Sequence, residues 1–152
     1  MLDADALFPS WSSVLECVDF PVVSRHFADE LGQSRDPRAC LDALAARGAR
    51  GAVVTLGEGG AIGRFGDRVI AVPAYPVGVR DTTGAGDAFH AGFATGLLRG
   101  LSAEACMRFA CAVAALNCTG EGAQDGLPRI EEVEALQARG TMATGHDRRN
   151  PR

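Results

Sequence analysis

The chain has 152 residues, 47% hydrophobic and 22% charged, which supplies one packed domain and is too apolar for a disordered chain. Its net charge of −4 disfavours a nucleic-acid surface, and no apolar run approaches the roughly 18 residues that span a bilayer. All 15 basic residues are arginines, which excludes a Walker-type phosphate loop and a Schiff-base lysine.

Met1-Leu2-Asp3-Ala4-Asp5 places acids where a secretory signal would be basic. Cys17, Cys40, Cys106, Cys111 and Cys118 show no CxxC spacing, so a reduced cytoplasmic protein with small buried thiols is expected. Residues 10–18 read as a short helix capped by Ser10, with Trp11, Val14 and Leu15 on one face. Residues 20–23 form a short apolar strand despite Pro21. Ser24 caps a helix through Leu31 that Gly32 ends. Asp36 caps a clearer one, with Pro37 at its first position, Cys40, Leu41 and Leu44 inward, and a stop at Gly48. Residues 52–56 are continuously apolar, the pattern of a strand buried on both faces of a parallel sheet. This helix-then-strand order predicts a layered α/β fold.

Gly57-Glu58-Gly59-Gly60 closes that strand with a loop free to take positive φ. Alternation on either side of Gly66-Asp67 predicts a hairpin over 61–65 and 68–73. The string DTTGAGD, 81–87, then opens a helix through Arg99, where Phe89, Phe93 and Leu97 recur every four residues and Gly92 and Gly96 permit close packing. Gly100 stops it. Ser102 caps the next helix, with Phe109, Val113 and Leu116 inward; 120–128 is a glycine-rich loop and 130–138 a short amphipathic helix. The domain is expected over 1–139, followed by a mobile polar tail over 140–152.

The chemistry concentrates in 81–87. A helix start leaves backbone N–H groups unpaired, and Gly84, Ala85 and Gly86 have almost no side chain to keep an anion away from them. The helix dipole adds roughly 0.3–1 kcal/mol of attraction for negative charge. Such a pocket suits the charge spread over a transferring phosphoryl group, and Asp87 beside it could accept a proton as general base. For GxGD alone the turn-making reading is the stronger one. The full string downstream of TLGEGG reverses the balance.

DTTGAGDAFHAGF resembles the second signature of the ribokinase-like (PfkB) carbohydrate kinases, and the resemblance runs from Asp3 to Leu136. It implies a layered α/β/α fold represented by its C-terminal, nucleotide-binding half. By match to that signature, Asp87 would be the base and Gly84, Ala85 and Gly86 the anion hole for the γ-phosphate. Thr55, Gly57 and Gly60 match the segment that contacts ATP, and Asn117 and Gly120, with the loop through Gly126, match the segment flanking the adenine. Asp81 and Thr83 match positions that hold a monovalent cation, usually K+; Asp81 also reads as a plain turn former.

Departures accompany the match. Many members carry Asn-x-x-Glu, which orders the magnesium–phosphate shell, near Ser24-Arg25-His26-Phe27; this chain lacks it, and Gly126 stands where some members complete the cation site. RFACAVAALNCTGEG is similar to the ketohexokinase and sulfofructose kinase branch, which leans the substrate towards a keto-sugar or sugar derivative. His26 and His90 have no partner at ligand spacing and read as structural. The family's N-terminal half, with most sugar-binding residues, has no counterpart here. The resemblance therefore implies a partial ATP- and Mg2+-dependent sugar kinase, with ATP or ADP and a small sugar as partners. The rival is a non-catalytic nucleotide-binding module that pairs with a second copy or a separate N-terminal half. A third reading is an unrelated α/β protein with a structural glycine loop.

Overall fold

The computed structural model describes residues 1–7 and 10–144. Successive side chains of a strand leave the sheet on opposite sides. Val22, Val53 and Ala61 therefore point to one face, and Val23, Val54 and Ile62 to the other. Both faces are apolar, so both must be covered by helices.

Five strands stand in chain order: β1 (Leu2–Ala4), β2 (Pro21–Val23), β3 (Gly51–Thr55), β4 (Ala61–Phe65) and β5 (Arg68–Val72). The first three are parallel, and β4 and β5 add the predicted antiparallel hairpin, so the sheet is mixed. Helices α1 (Trp11–Leu15), α2 (Arg25–Gly32) and α3 (Pro37–Ala45) lie in the parallel crossovers and cover one face. The other face carries α4 (Ala85–Leu98) and α5 (Ala103–Asn117), with α6 (Ile130–Thr144) packed on α5. The layered α/β/α architecture is as expected.

Local chemistry explains most boundaries. The hydroxyl of Ser24 accepts the amide of Phe27 (3.1 Å), and Asp36 accepts that of Arg38 (3.0 Å) ahead of Pro37. Ser102 accepts the amide of Ala105 (3.3 Å). Gly92 and Gly96 do what their spacing predicts. A Cβ on Gly92 would lie 2.9 Å from the Ala110 Cα, and one on Gly96 3.0 Å from the Cys106 Cα. Glycine at both positions lets α4 and α5 meet backbone to backbone.

Several expectations need correction. Ser10 occupies the N-cap position but makes no capping hydrogen bond, and α1 ends at Leu15 rather than Val18. Only Trp11 and Leu15 anchor it, Val14 being 38% exposed. Gly32 is the last residue of α2 rather than its breaker; a side chain there would strike the Cys40 amide, and Gln33 takes the left-handed turn instead. β3 begins at Gly51, where any side chain would meet the Phe65 ring. β1 was not anticipated, because three residues are too short to show a period. Cys17 is exposed, while the other four thiols are buried. α6 runs through Thr144 instead of stopping at Ala138, with Gly140 lying against the Tyr75 ring. The rest of the expected tail lies outside the described residues.

Candidate active site

Asp81 is the first fixed point. Its Oδ1 accepts the amide (2.9 Å) and the hydroxyl (2.8 Å) of Thr83, and its Oδ2 accepts the amide of Gly122 (2.8 Å). The Thr83 amide, followed by the Thr83 hydroxyl and the Gly122 amide, holds this carboxyl below the usual carboxylate range, since hydrogen bonds to the charged form favour it. One side chain thus ties the approach to α4 to the glycine-rich loop. The amides of Arg80 and Asp81 both donate to the Cys118 carbonyl at the end of α5 (2.8 and 3.3 Å). Asn117, fully buried, donates its Nδ2 to the Thr83 carbonyl at 3.2 Å, and its Oδ1 is left without a partner.

Gly84 then turns the chain into α4 with φ of 76°, in the left-handed region. A Cβ there would also lie 2.9 Å from the Ala123 Cβ and carbonyl oxygen, so glycine is required twice over. The first turn divides its donors. The Ala85 N–H donates back to the Thr82 carbonyl (3.1 Å) and the Ala88 N–H to the Gly84 carbonyl (2.9 Å). Among the described residues, the amides of Gly86 and Asp87 between them are left for a ligand. Of the three donors expected, Gly84, Ala85 and Gly86, the Ala85 amide is engaged, and the Asp87 amide was not among them. The position of a Cβ on Gly86 is open space, and the Asp87 side chain is exposed beside it.

A cleft of about 650 Å³ opens onto this mouth. Thr82, Ala85 and Gly86 border it at the helix, with Gly84 and Asp87 outside its lining, and Thr55, Gly57 and Gly60 border it after β3. Gly60 takes φ of 85° with the backbone of 72–74 against it, so the strand-to-hairpin bend admits no side chain. The rest is an apolar wall that sequence reading missed, including Tyr75, Val79, Phe89, Cys111 and Cys118. Its signal was the small-residue run on α5, whose direction only the fold reveals. Burial pushes the Cys111 thiol up to about 12 and raises Cys118 as well, so both are inert wall groups. Asn117 and Gly120 do not border the cleft. They stand behind it, where Gly120 donates to the Asn117 carbonyl (3.2 Å) and packs on the Gly126 backbone.

Sequence reading also missed Asp3. It lies on β1, where its Oδ1 is 3.3 Å from His90 Nε2. Burial pushes its carboxyl up; His90 opposes that, and the neighbouring carboxylates of Asp87 and Asp5 add to it. His90 is buried, whereas His26 faces solvent and reaches Glu30 at 3.5 Å. The described residues hold no cluster of three His, Cys, Asp or Glu side chains suited to a metal ion, and no helix long and apolar enough to cross a membrane.

The profile of the pfkB family carbohydrate kinases matches residues 3–130. A ribokinase from Lactococcus lactis is 34% identical over 122 residues, which are 80% of this chain and 39% of that protein. A ribokinase II from E. coli, solved in complex with ATP and Mg2+, is similar with a TM-score of 0.79 at 28% identity, over 85% of this chain and 42% of that one. A fructokinase double mutant from Vibrio cholerae O395, solved with fructose, ADP and potassium ion, gives 0.73 at 26% identity, over 82% and 42%. The chain spans less than half the length of each of these relatives.

Proposed function

Because the chain belongs to the pfkB family of carbohydrate kinases, we propose that the mouth of α4 transfers the γ-phosphoryl group of ATP to a sugar hydroxyl. The observation that carries this reading is the open start of α4. Two backbone amides are left for a ligand where no side chain intrudes, with a carboxylate beside them and a cleft of about 650 Å³ leading in.

Each residue then has a role. The amides of Gly86 and Asp87 bind the transferring phosphoryl group, in a geometry that needs no reorganisation as charge builds up. The Asp87 carboxylate orients the acceptor hydroxyl and takes its proton. Thr55, Gly57 and Gly60 give the nucleotide a side that is nearly all backbone, and the apolar wall takes the base. Asn117 and Gly120 act from behind by holding Thr83 and the glycine-rich loop in place.

The residues suit a monovalent cation. The Asp81 carboxylate, the Thr83 carbonyl and the orphaned, buried Asn117 Oδ1 are all oxygen donors in one hydrogen-bonded cluster. Asp81 and Thr83 would hold K+ there, which would strengthen the field at the helix mouth. Mg2+ would come with the nucleotide and would supply charge neutralisation at its phosphates. The relatives are more than twice as long, and we assign the sugar's remaining contacts to the part of their fold that lies beyond the match.

The test is Asp87→Ala in a catalytically active assembly containing this chain. The turnover number should fall by about 10²–10⁴-fold while ATP affinity changes little. Near-wild-type turnover would remove Asp87 from its role.

A further inference from the structure

His90 sits on α4 one residue beyond Phe89 and is buried, with its side chain 11% exposed. Its Nδ1 lies 2.8 Å from the Gly86 carbonyl oxygen, and its Nε2 lies 3.0 Å from the Val22 carbonyl oxygen and 3.3 Å from Asp3 Oδ1. Two carbonyls and a carboxylate oxygen surround the ring, and the two carbonyls can only accept. To bond the Gly86 carbonyl, the ring must carry a proton on Nδ1, the nitrogen that faces it. The charged groups around it are Asp3 of β1, with Asp87 of α4 and Asp5 adjoining Asp3.

The Gly86 contact matters because of peptide planarity. The Gly86 C=O and the Asp87 N–H belong to one rigid unit and point in opposite directions. A ring nitrogen that holds the carbonyl therefore aims the amide. The other end of the ring is fixed to β2 and β1, which the sheet core holds in place.

We propose that His90 is a positioning residue: its ring ties the first turn of α4 to β1 and β2 and so sets the direction of the Asp87 amide. The inference rests on the kinase reading for its purpose, but its geometry does not need a nucleotide.

Two measurements on the nucleotide-free chain test it. With the chain ¹⁵N-labelled at histidine, long-range ¹H–¹⁵N spectra should show a proton on His90 Nδ1, the nitrogen that faces the Gly86 carbonyl; a ring protonated on Nε2 alone overturns the proposal. In His90→Phe, which keeps a ring and loses its nitrogens, the ¹H–¹⁵N residual dipolar coupling of the Asp87 amide, which reports its direction, should shift while those of amides near Leu97 do not. An unchanged coupling at Asp87 also overturns it. If His90→Phe does not fold, the wild-type spectrum decides. Failure of the kinase reading shows separately, as a lack of ADP-induced shifts at Gly86 and Asp87 while both His90 results stand.

Discussion

The buried side chain of Asn117, on the last turn of α5, donates to the carbonyl of Thr83 at 3.2 Å and so bolts the entrance of α4 to the neighbouring helix. Asn117→Ala leaves that carbonyl without this donor and opens a small void. Folding stability should fall by about 1–3 kcal/mol, a drop of about 3–10 °C in Tm at this chain length. ADP affinity should fall with it, because Thr83 leads directly into Gly84. A calorimetric scan and an ADP titration check both; an unaltered Tm would make the bond incidental.

Gly84 and Gly86 should respond oppositely to the same substitution. Gly84→Ala forces a side chain into φ of 76° and against Ala123, and should cost about 1–3 kcal/mol of stability. Gly86→Ala meets open space on a helix, where alanine is favoured by up to about 1 kcal/mol, so Tm should hold or rise. Its methyl nonetheless stands in the mouth, and ADP affinity should drop by about tenfold, roughly 1.4 kcal/mol. Thermal melts paired with calorimetric titration separate the two effects. Wild-type ADP binding by Gly86→Ala would move the phosphate elsewhere.

Gly92→Ala replaces a poor helix former with the best one, yet should destabilise the protein by about 1–3 kcal/mol. The added Cβ meets the Ala110 Cα at 2.9 Å, and backbone cannot move aside as a side-chain tip can. Denaturant unfolding measures the change; a gain in stability would show that α4 and α5 can separate at no cost.

Asp81 supplies a pH dependence. Its folded carboxyl is held below the ordinary value of 3.8, chiefly by the Thr83 amide. The stability it contributes is therefore present above that value and lost as pH falls from there through the lower folded one. The Tm difference between the wild type and Asp81→Asn should be largest near neutrality and shrink towards pH 2. A difference that is constant with pH would mean that the charge of Asp81 is not what ties Thr83 to Gly122.

Much of the layered fold was legible because its signals are local. Val22-Val23 and Val53-Val54 carry the faces of the sheet, and Ser24, Asp36 and Ser102 cap helices through their own neighbours. What escaped depends on distant partners. Gly32 reads as a stop but is small because Cys40 passes close by, and Gly51 is small because of Phe65. Tyr75 lies outside every expected element and becomes cleft wall once α5 is placed opposite. The string 81–87 located the helix mouth, but not that the Ala85 amide is engaged or that Asp3 reaches His90 on the same helix. β1 has no readable period in three residues, so the carboxylate it carries was invisible too.

The central claim is that a phosphate seats on backbone amides at the start of α4, and an ADP titration followed by ¹H–¹⁵N spectra of the 152-residue chain tests it most directly. The account predicts that the Gly86 and Asp87 amides show the largest shifts and become protected from exchange, with smaller shifts at Gly57 and Gly60. Saturating ADP that leaves Gly86 and Asp87 unmoved, or that perturbs only residues away from the cleft, would contradict it.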